Sequence, residues 1–143
     1  MKTRAMVMAG MIAVTMMAST RVARAQEPMV VNVPFDFVAG SKTFPAGEYA
    51  VKTTGPTHTL VLIDRKHATT SIFLNTNAVV ANDAQSESKL VFNRYGDHYF
   101  LSQVWSAGNT RGRQLIKSTR EKEIALTAKI ETEGQITLVA SLP

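Results

Sequence analysis

The chain has 143 residues, no cysteine, and 16 Lys+Arg against 11 Asp+Glu, a formal net charge of +5. Four of the basic residues, Lys2, Arg4, Arg21 and Arg24, fall in the first 25 residues, which hold no acid; the other 118 residues (143 less 25) carry 12 basic against 11 acidic side chains. That near-neutral balance gives no argument for nucleic acid as a partner, and none is expected; without cysteine the fold must stand on packing rather than disulfides.

The first 25 residues read as a secretory signal. Met1-Lys2-Thr3-Arg4 is a short basic start, Ala5–Thr20 is an uncharged apolar run, and Ala23-Arg24-Ala25 offers the small residues at which a signal peptidase cleaves, before Gln26. The apolar run is shorter than the roughly 20 residues a membrane span needs, and Arg21 and Arg24 follow it at once. No Arg-Arg pair precedes it, which points to the general export route. The mature chain, 26–143, is expected to be one domain, periplasmic or extracellular, with no transmembrane segment.

Val30–Val38 alternates Val31, Val33, Phe35 and Phe37 with Asn32, Pro34 and Asp36, the period of a strand with one buried face. Pro34 places it at a sheet edge or marks a bulge. Ala39–Gly47 is a reversal under which Phe44 tucks. Glu48–Thr53 is the second strand, with Tyr49 and Val51 inward. After a turn at Gly55-Pro56, the continuous apolar run Thr59–Asp64 suits a central strand. Thr69–Asn75 is a fourth strand, extending toward Ala78–Val80, and Ala81–Ser88 is a polar surface loop.

Leu90–Trp105 contains six of the largest side chains after residue 25, Phe92, Arg94, Tyr95, Tyr99, Phe100 and Trp105, and reads as two apolar strands of a hairpin turning at Tyr95-Gly96-Asp97-His98. Strict alternation puts Leu90, Phe92, Leu101 and Trp105 on one face and Val91, Phe100 and Val104 on the other. After the loop Ser106–Gly112 the signals conflict. Ser118-Thr119-Arg120-Glu121 has capping-box spacing and is followed by good helix formers, whereas Ile124, Leu126, Ala128 and Ile130 alternate as in a strand. We expect a helical turn over about 118–123, then extended chain, and a last strand over Gln135–Ser141. The sum is an all-β antiparallel sandwich or small barrel of about eight strands, with at most one short helix near 118–125.

Three separated blocks, VNVPFDFVAGSKTFPAGEYAV, LVFNRYGDHYFLSQVW and GRQLIKSTREKE, carry a resemblance. They are similar to a group of small, secreted, uncharacterised bacterial proteins in which a V-P-F-x-F strand leads into P-A-G-x-Y, an R-Y-G-x-x-Y-F-L hairpin and a basic K-S-x-R-E segment. The resemblance implies an exported β-rich domain and no particular activity.

Candidate chemistry is sparse. Arg94, Tyr95, Asp97 and His98 cluster at the hairpin tip. Asp97 and His98 could form a general acid–base pair, but adjacent strand residues point to opposite faces and Gly-Asp suits a tight turn. Arg94 and Tyr99 are expected to face each other in a cation–π contact. His58, His67 and His98 fall in separate turns and no H-x-H or H-E-x-x-H exists, so no metal is expected. No G-x-S-x-G is present, Ser102 reads as a small packing residue, and Gly108–Gly112 resembles half a phosphate loop without its Lys-Ser/Thr, so no cofactor is expected. Arg111, Arg113, Lys117, Arg120 and Lys122 form a basic run that reads first as a solvated face and second as a contact for an anionic envelope component, polysaccharide or lipid headgroup. Trp105 reads as a core plug before an aromatic platform. The function expected is non-catalytic: binding or structure in the cell envelope or outside the cell, with that envelope component or another envelope protein as partner. One alternative is a small barrel holding a lipophilic ligand against Trp105, Tyr99 and Phe92. Another is a small hydrolase, which needs two or more of Arg94, Asp97, His98 and Glu48 to converge.

Overall fold

Pro34 has no backbone N–H to give a ladder, and here the first apolar stretch breaks in two. In the computed structural model, which describes residues 28–54, 59–67, 71–128 and 133–141, it forms β1 (Met29–Val33) and β2 (Phe37–Ala39). The expected signal segment, the Gly55-Pro56 turn, His58 and the stretch 129–132 lie outside the described residues. Between β1 and β2 the chain changes sheets. Phe35 stacks on Tyr99 with centroids 3.9 Å apart and sets its edge on Phe92 at 5.1 Å, while Asp36 Oδ1 accepts the Ala46 N–H at 2.9 Å. The chain reverses at Gly40, whose φ of 62° favours glycine, into β3 (Lys42–Phe44).

β4 (Gly47–Thr54), β5 (Thr59–Asp64) and β6 (Ser71–Leu74) join β1 in a four-stranded antiparallel sheet, ordered β1-β4-β5-β6. The continuous apolar run thus lies in an interior strand, β5, as expected. Asn75 alone links β6 to β7 (Thr76–Val80), the edge of a second sheet. That sheet holds β8 (Lys89–Tyr95), β9 (His98–Trp105), β10 (Arg111–Leu115) and β11 (Glu133–Val139) in the order β11-β8-β9-β10-β7. β2 adds to β9 through one parallel pairing, Val38 with Phe100, and β3 pairs with β2. At the opposite seam Ser141 donates its N–H to the Val30 carbonyl at 3.0 Å. The result is an all-β sandwich of eleven strands among the described residues, joined at both seams but not closed into a barrel. Eleven replace the eight expected: Pro34 and Asn75 each cut an apolar run into strands of different sheets, β3 forms within the expected reversal, β10 begins within the expected loop Ser106–Gly112, and the extended stretch expected after residue 123 is helix instead.

The space between the sheets is filled. Val31, Val33, Tyr49, Val51, Leu60 and Leu62 from the first sheet meet Phe37, Leu90, Phe92, Leu101, Val104 and Leu115 from the second. Burial pushes the Tyr49 phenol up to about 12, with the Asp64 and Asp36 carboxylates adding to it, and its hydroxyl donates to the Pro45 carbonyl at 2.5 Å.

One irregularity redirects the central hairpin. Val91 pairs with Gln103 but Phe92 with Leu101, so Ser102 is an extra residue, a β-bulge. Beyond it every side chain of β9 changes face. Leu101 and Val104 both point into the core, and Trp105 joins Phe100 and Val91 on the outer face. The expected grouping of Trp105 with Phe92 and of Val104 with Phe100 is therefore wrong; Trp105 is buried as expected, but on the outer face rather than between the sheets. It is 7 % exposed because it lies over Gly112 of β10, its cross-strand partner, and donates Nε1–H to Gln103 Oε1 at 2.9 Å. A Cβ on residue 112 would sit 2.6 Å from Trp105 ring carbons. Gly112→Ala should cost about 2 kcal/mol by overpacking and red-shift the emission of Trp105, the only tryptophan; a variant with unchanged stability and emission would refute the contact.

The single helix among the described residues, α1 (Thr119–Thr127), runs past the turn expected from the sequence. Ser118 is its N-cap, with Oγ accepting the Glu121 N–H at 3.2 Å. Strand period loses here because Ile124, Ala125 and Ala128 make a helical stripe packed on Val38, Tyr95 and Phe100. Leu126, which the alternation would bury, is 88 % exposed. Among the described residues no helix is long and apolar enough to cross a membrane.

Candidate functional site

α1 covers only part of the outer face of the seven-stranded sheet, and its anchor is polar. Glu121 is 5 % exposed. Its Oε1 accepts from Asn93 Nδ2 at 3.0 Å and from the Tyr95 hydroxyl at 3.2 Å. Gln135 Nε2 in turn donates to Asn93 Oδ1 at 3.3 Å. The capping box is thus only half made: Ser118 caps the helix, but the Glu121 carboxyl turns to the sheet.

Beside this network lies a groove of about 350 Å³, lined by Asn93, Ser102, Gln103, Gln114, Lys117 and Gln135. The register explains why they meet. Gln135 pairs with Asn93 and Gln114 with Gln103, so neighbouring strands present amides on one face, and the bulge brings Ser102 to the same place. Ser102 is 7 % exposed. Among the described residues, the Ser102 hydroxyl, the Gln114 amide and the Lys117 ammonium make no side-chain hydrogen bond. With Gly134 the lining has seven residues, and no side-chain carboxylate is among them, since Glu121 is held behind Asn93. The groove can hydrogen-bond to a neutral or negative ligand.

Of the binding candidates singled out from the sequence, only Lys117 lines this groove, and Ser102, read there as a small packing residue, lines it too. Tyr95 is buried under α1 rather than free at the hairpin tip. Arg94 stays at the tip, donating Nε–H to the Gly96 carbonyl at 2.9 Å and lying 5.8 Å from the centre of the Tyr99 ring, the contact expected. Asp97 and His98 are exposed there. Glu48 pairs with Arg65 on the other sheet. Of the four residues weighed for a hydrolase, Glu48 is thus apart from the other three, which stay at the exposed hairpin tip. The basic run is divided as well. Arg113 bonds Thr76 through Nε and Nη2 at 2.8 and 3.0 Å, Arg120 reaches Thr43 Oγ1 at 3.3 Å, and Arg111 and Lys122 are exposed elsewhere. Ser86-x-x-Lys89 has the spacing of a serine–lysine pair, but Ser86 lies at a bend and Lys89 opens a strand, so no helical turn stacks them.

Two other features stand out. A pocket of about 490 Å³ opens at one end of the sandwich, with Met29, Val51 and Val104 among its apolar lining and Ser88 and Asn109 among its polar lining. Phe92, Tyr99 and Trp105, expected to line a lipophilic cavity, do not reach it: Phe92 is core, Tyr99 is stacked on Phe35 and Trp105 is on the outer face. At the end of β5, Asp64 Oδ2 lies 3.0 Å from His67 Nδ1, and Asp64 Oδ1 accepts the N–H groups of Lys66 and His67. Asp64-x-x-His67 spacing thus closes a turn, and His67 is not merely solvated. The His67 contact is the main cause that holds the Asp64 carboxyl below its ordinary value, against its burial. A carboxyl with a depressed folded value stabilises the fold above the carboxylate range and loses that contribution as pH falls. His67→Ala should cost about 0.5–1 kcal/mol at neutral pH, the histidine being largely exposed, and the difference should vanish toward pH 2. Urea titrations of both proteins across that range measure it; a gap that persists at low pH would contradict it.

The groove residues other than Lys117 were missed from the sequence because none has a motif. The signal was there as uncharged amides at strand positions 93, 103, 114 and 135, but it needs the register to be seen. Comparisons of the chain with family models, with curated proteins and with solved structures found no match to any of them.

Proposed function

We propose that this chain is exported and acts without catalysis, as a binding module that takes its ligand on the outer face of the seven-stranded sheet, in the envelope or outside the cell. The observation that carries the reading is the groove itself: polar groups with hydrogen-bonding capacity left open to it, set by a β-bulge beside a helix latched through Glu121. Bulges recur where a side chain must be re-aimed. The basic start, apolar run and Ala23-Arg24-Ala25 support export, and so does the resemblance to secreted proteins. The lining chemistry, amides and one ammonium without a carboxylate, supports binding over hydrolysis.

Expression of the full chain in a bacterial host, followed by fractionation, tests this. A product beginning at Gln26 is expected in the exported fraction, bound to isolated envelope at low salt. Gln114→Trp, which places an indole in the groove, should release it. A product that keeps residues 1–25, or retention that Gln114→Trp leaves intact, would reject the reading. A second reading, transport of a lipophilic ligand, is favoured by one observation, the pocket at the sandwich end with its apolar Met29, Val51 and Val104. It requires an apolar fluorescent probe to bind and to be expelled by Val104→Trp.

A further inference from the structure

We propose that the groove is a saccharide site, reading the hydroxyl groups of a short glycan segment through Gln103, Gln114, Gln135 and Ser102 and one anionic substituent through Lys117. This rests on the binding reading above and gives its ligand a chemical class.

The argument begins with donors and acceptors. An amide side chain offers an N–H donor and a carbonyl acceptor side by side, and a sugar hydroxyl both donates and accepts, so an amide can meet vicinal hydroxyls in pairs. In this groove the amides have part of that capacity committed and part open. Gln103 uses Oε1 on the Trp105 indole and keeps its NH₂. Gln135 uses Nε2 on Asn93 and keeps Oε1. Gln114 is uncommitted among the described residues. The open groups of Gln103 and Gln135 are therefore already oriented by their partners, which lowers the ordering cost of binding. An apolar ligand would strand these groups without partners, and an extended peptide would need a free strand edge, whereas the groove lies on a sheet face between paired strands. At about 350 Å³ it falls at the small end of ligand sites.

Lys117 sets the charge preference. It is exposed on the rim, and the Glu121 carboxyl that would offset it is turned into the Asn93–Tyr95 network. A glycan bearing a carboxylate is favoured over a neutral one by a surface charge contact, an effect that added salt removes.

Isothermal titration of the mature chain with alginate tetrasaccharide, dextran tetrasaccharide and poly-L-glutamate tests the inference. Alginate should bind most tightly, dextran more weakly, and poly-L-glutamate least. Gln103→Ala/Gln114→Ala should weaken alginate by about tenfold or more. Gln114→Ala alone, whose side chain makes no bond that folding could need, should weaken it by about threefold. Lys117→Gln should bring alginate down to the level of dextran and abolish its salt dependence. Poly-L-glutamate binding as tightly as alginate, indifferent to the glutamine variants, would show a site that reads charge alone and overturn the inference. Failure of both sugars while Gln114→Trp still releases the protein from envelope would overturn the saccharide class and leave the binding reading standing. Failure of both experiments would overturn the two together.

Discussion

Phe37→Ala is expected to cost about 4 kcal/mol, the largest effect of any single change considered, because the ring sits where the two sheets meet. Its neighbours are Tyr49 of β4, edge-on at 5.0 Å, Phe92 of β8, edge-on at 5.4 Å, and Phe44 of β3, stacked at 5.5 Å. Edge-to-face pairs add to the area that is buried, and Phe37, Tyr49, Phe92 and Phe44 are held from four different strands, which limits how far the site can collapse around a cavity. Since marginal stability is typically 5–15 kcal/mol, the variant should unfold at markedly lower urea or not accumulate at all. Phe37→Leu, which keeps most of the volume, should cost about a third as much. Equal losses for the two substitutions would mean that the ring geometry described here is not what stabilises the junction.

Glu121→Ala is the second large effect, about 2–3 kcal/mol. Its carboxyl is buried and accepts from Asn93 and Tyr95, so removal takes an acceptor from two buried donors, and that costs more than a hydrogen bond contributes. Glu121→Gln keeps an oxygen at the position and should cost about 1 kcal/mol. The pair of variants separates the latch from mere side-chain volume. A double-mutant cycle with Asn93→Ala should give a coupling of about 1 kcal/mol or more; a coupling near zero would mean that the helix is held only by Ile124, Ala125 and Ala128. Loss of the latch should also weaken ligand binding, since Asn93 and Gln135 belong to both the network and the groove.

Much of this fold was legible in the sequence, and the exceptions have physical causes. Period-two alternation placed Val31, Val33, Tyr49 and Val51 in the core correctly, and the unbroken run at Leu60–Leu62 marked an interior strand. The same rule failed at Trp105, because one added residue at Ser102 inverts the parity of everything after it, and no local composition announces a bulge. It failed again at Ile124–Ala128, where three of the five residues that looked like alternating strand bury a helical stripe instead. The Ser118 cap was visible; the destination of the Glu121 side chain was not, since its partners Asn93 and Tyr95 lie 28 and 26 residues away. The candidate site was the least legible part. Charge and aromatic size make Tyr95, Trp105 and Arg113 stand out in the sequence, yet Tyr95 lies under the helix, Trp105 on Gly112 and Arg113 on Thr76. What gathers in the groove are ordinary amides from separate strands, which become a site only through register.

The most direct measurement follows the side-chain amide signals of Gln103, Gln114 and Gln135 in nitrogen–proton correlation spectra while alginate tetrasaccharide is added to the mature chain. The expected result is a saturable shift confined to these three and to the Trp105 indole, whose Nε1–H is bonded to Gln103. Shifts that gather instead at Met29, Val51 and Val104 would place the ligand at the end of the sandwich and contradict the outer-face site.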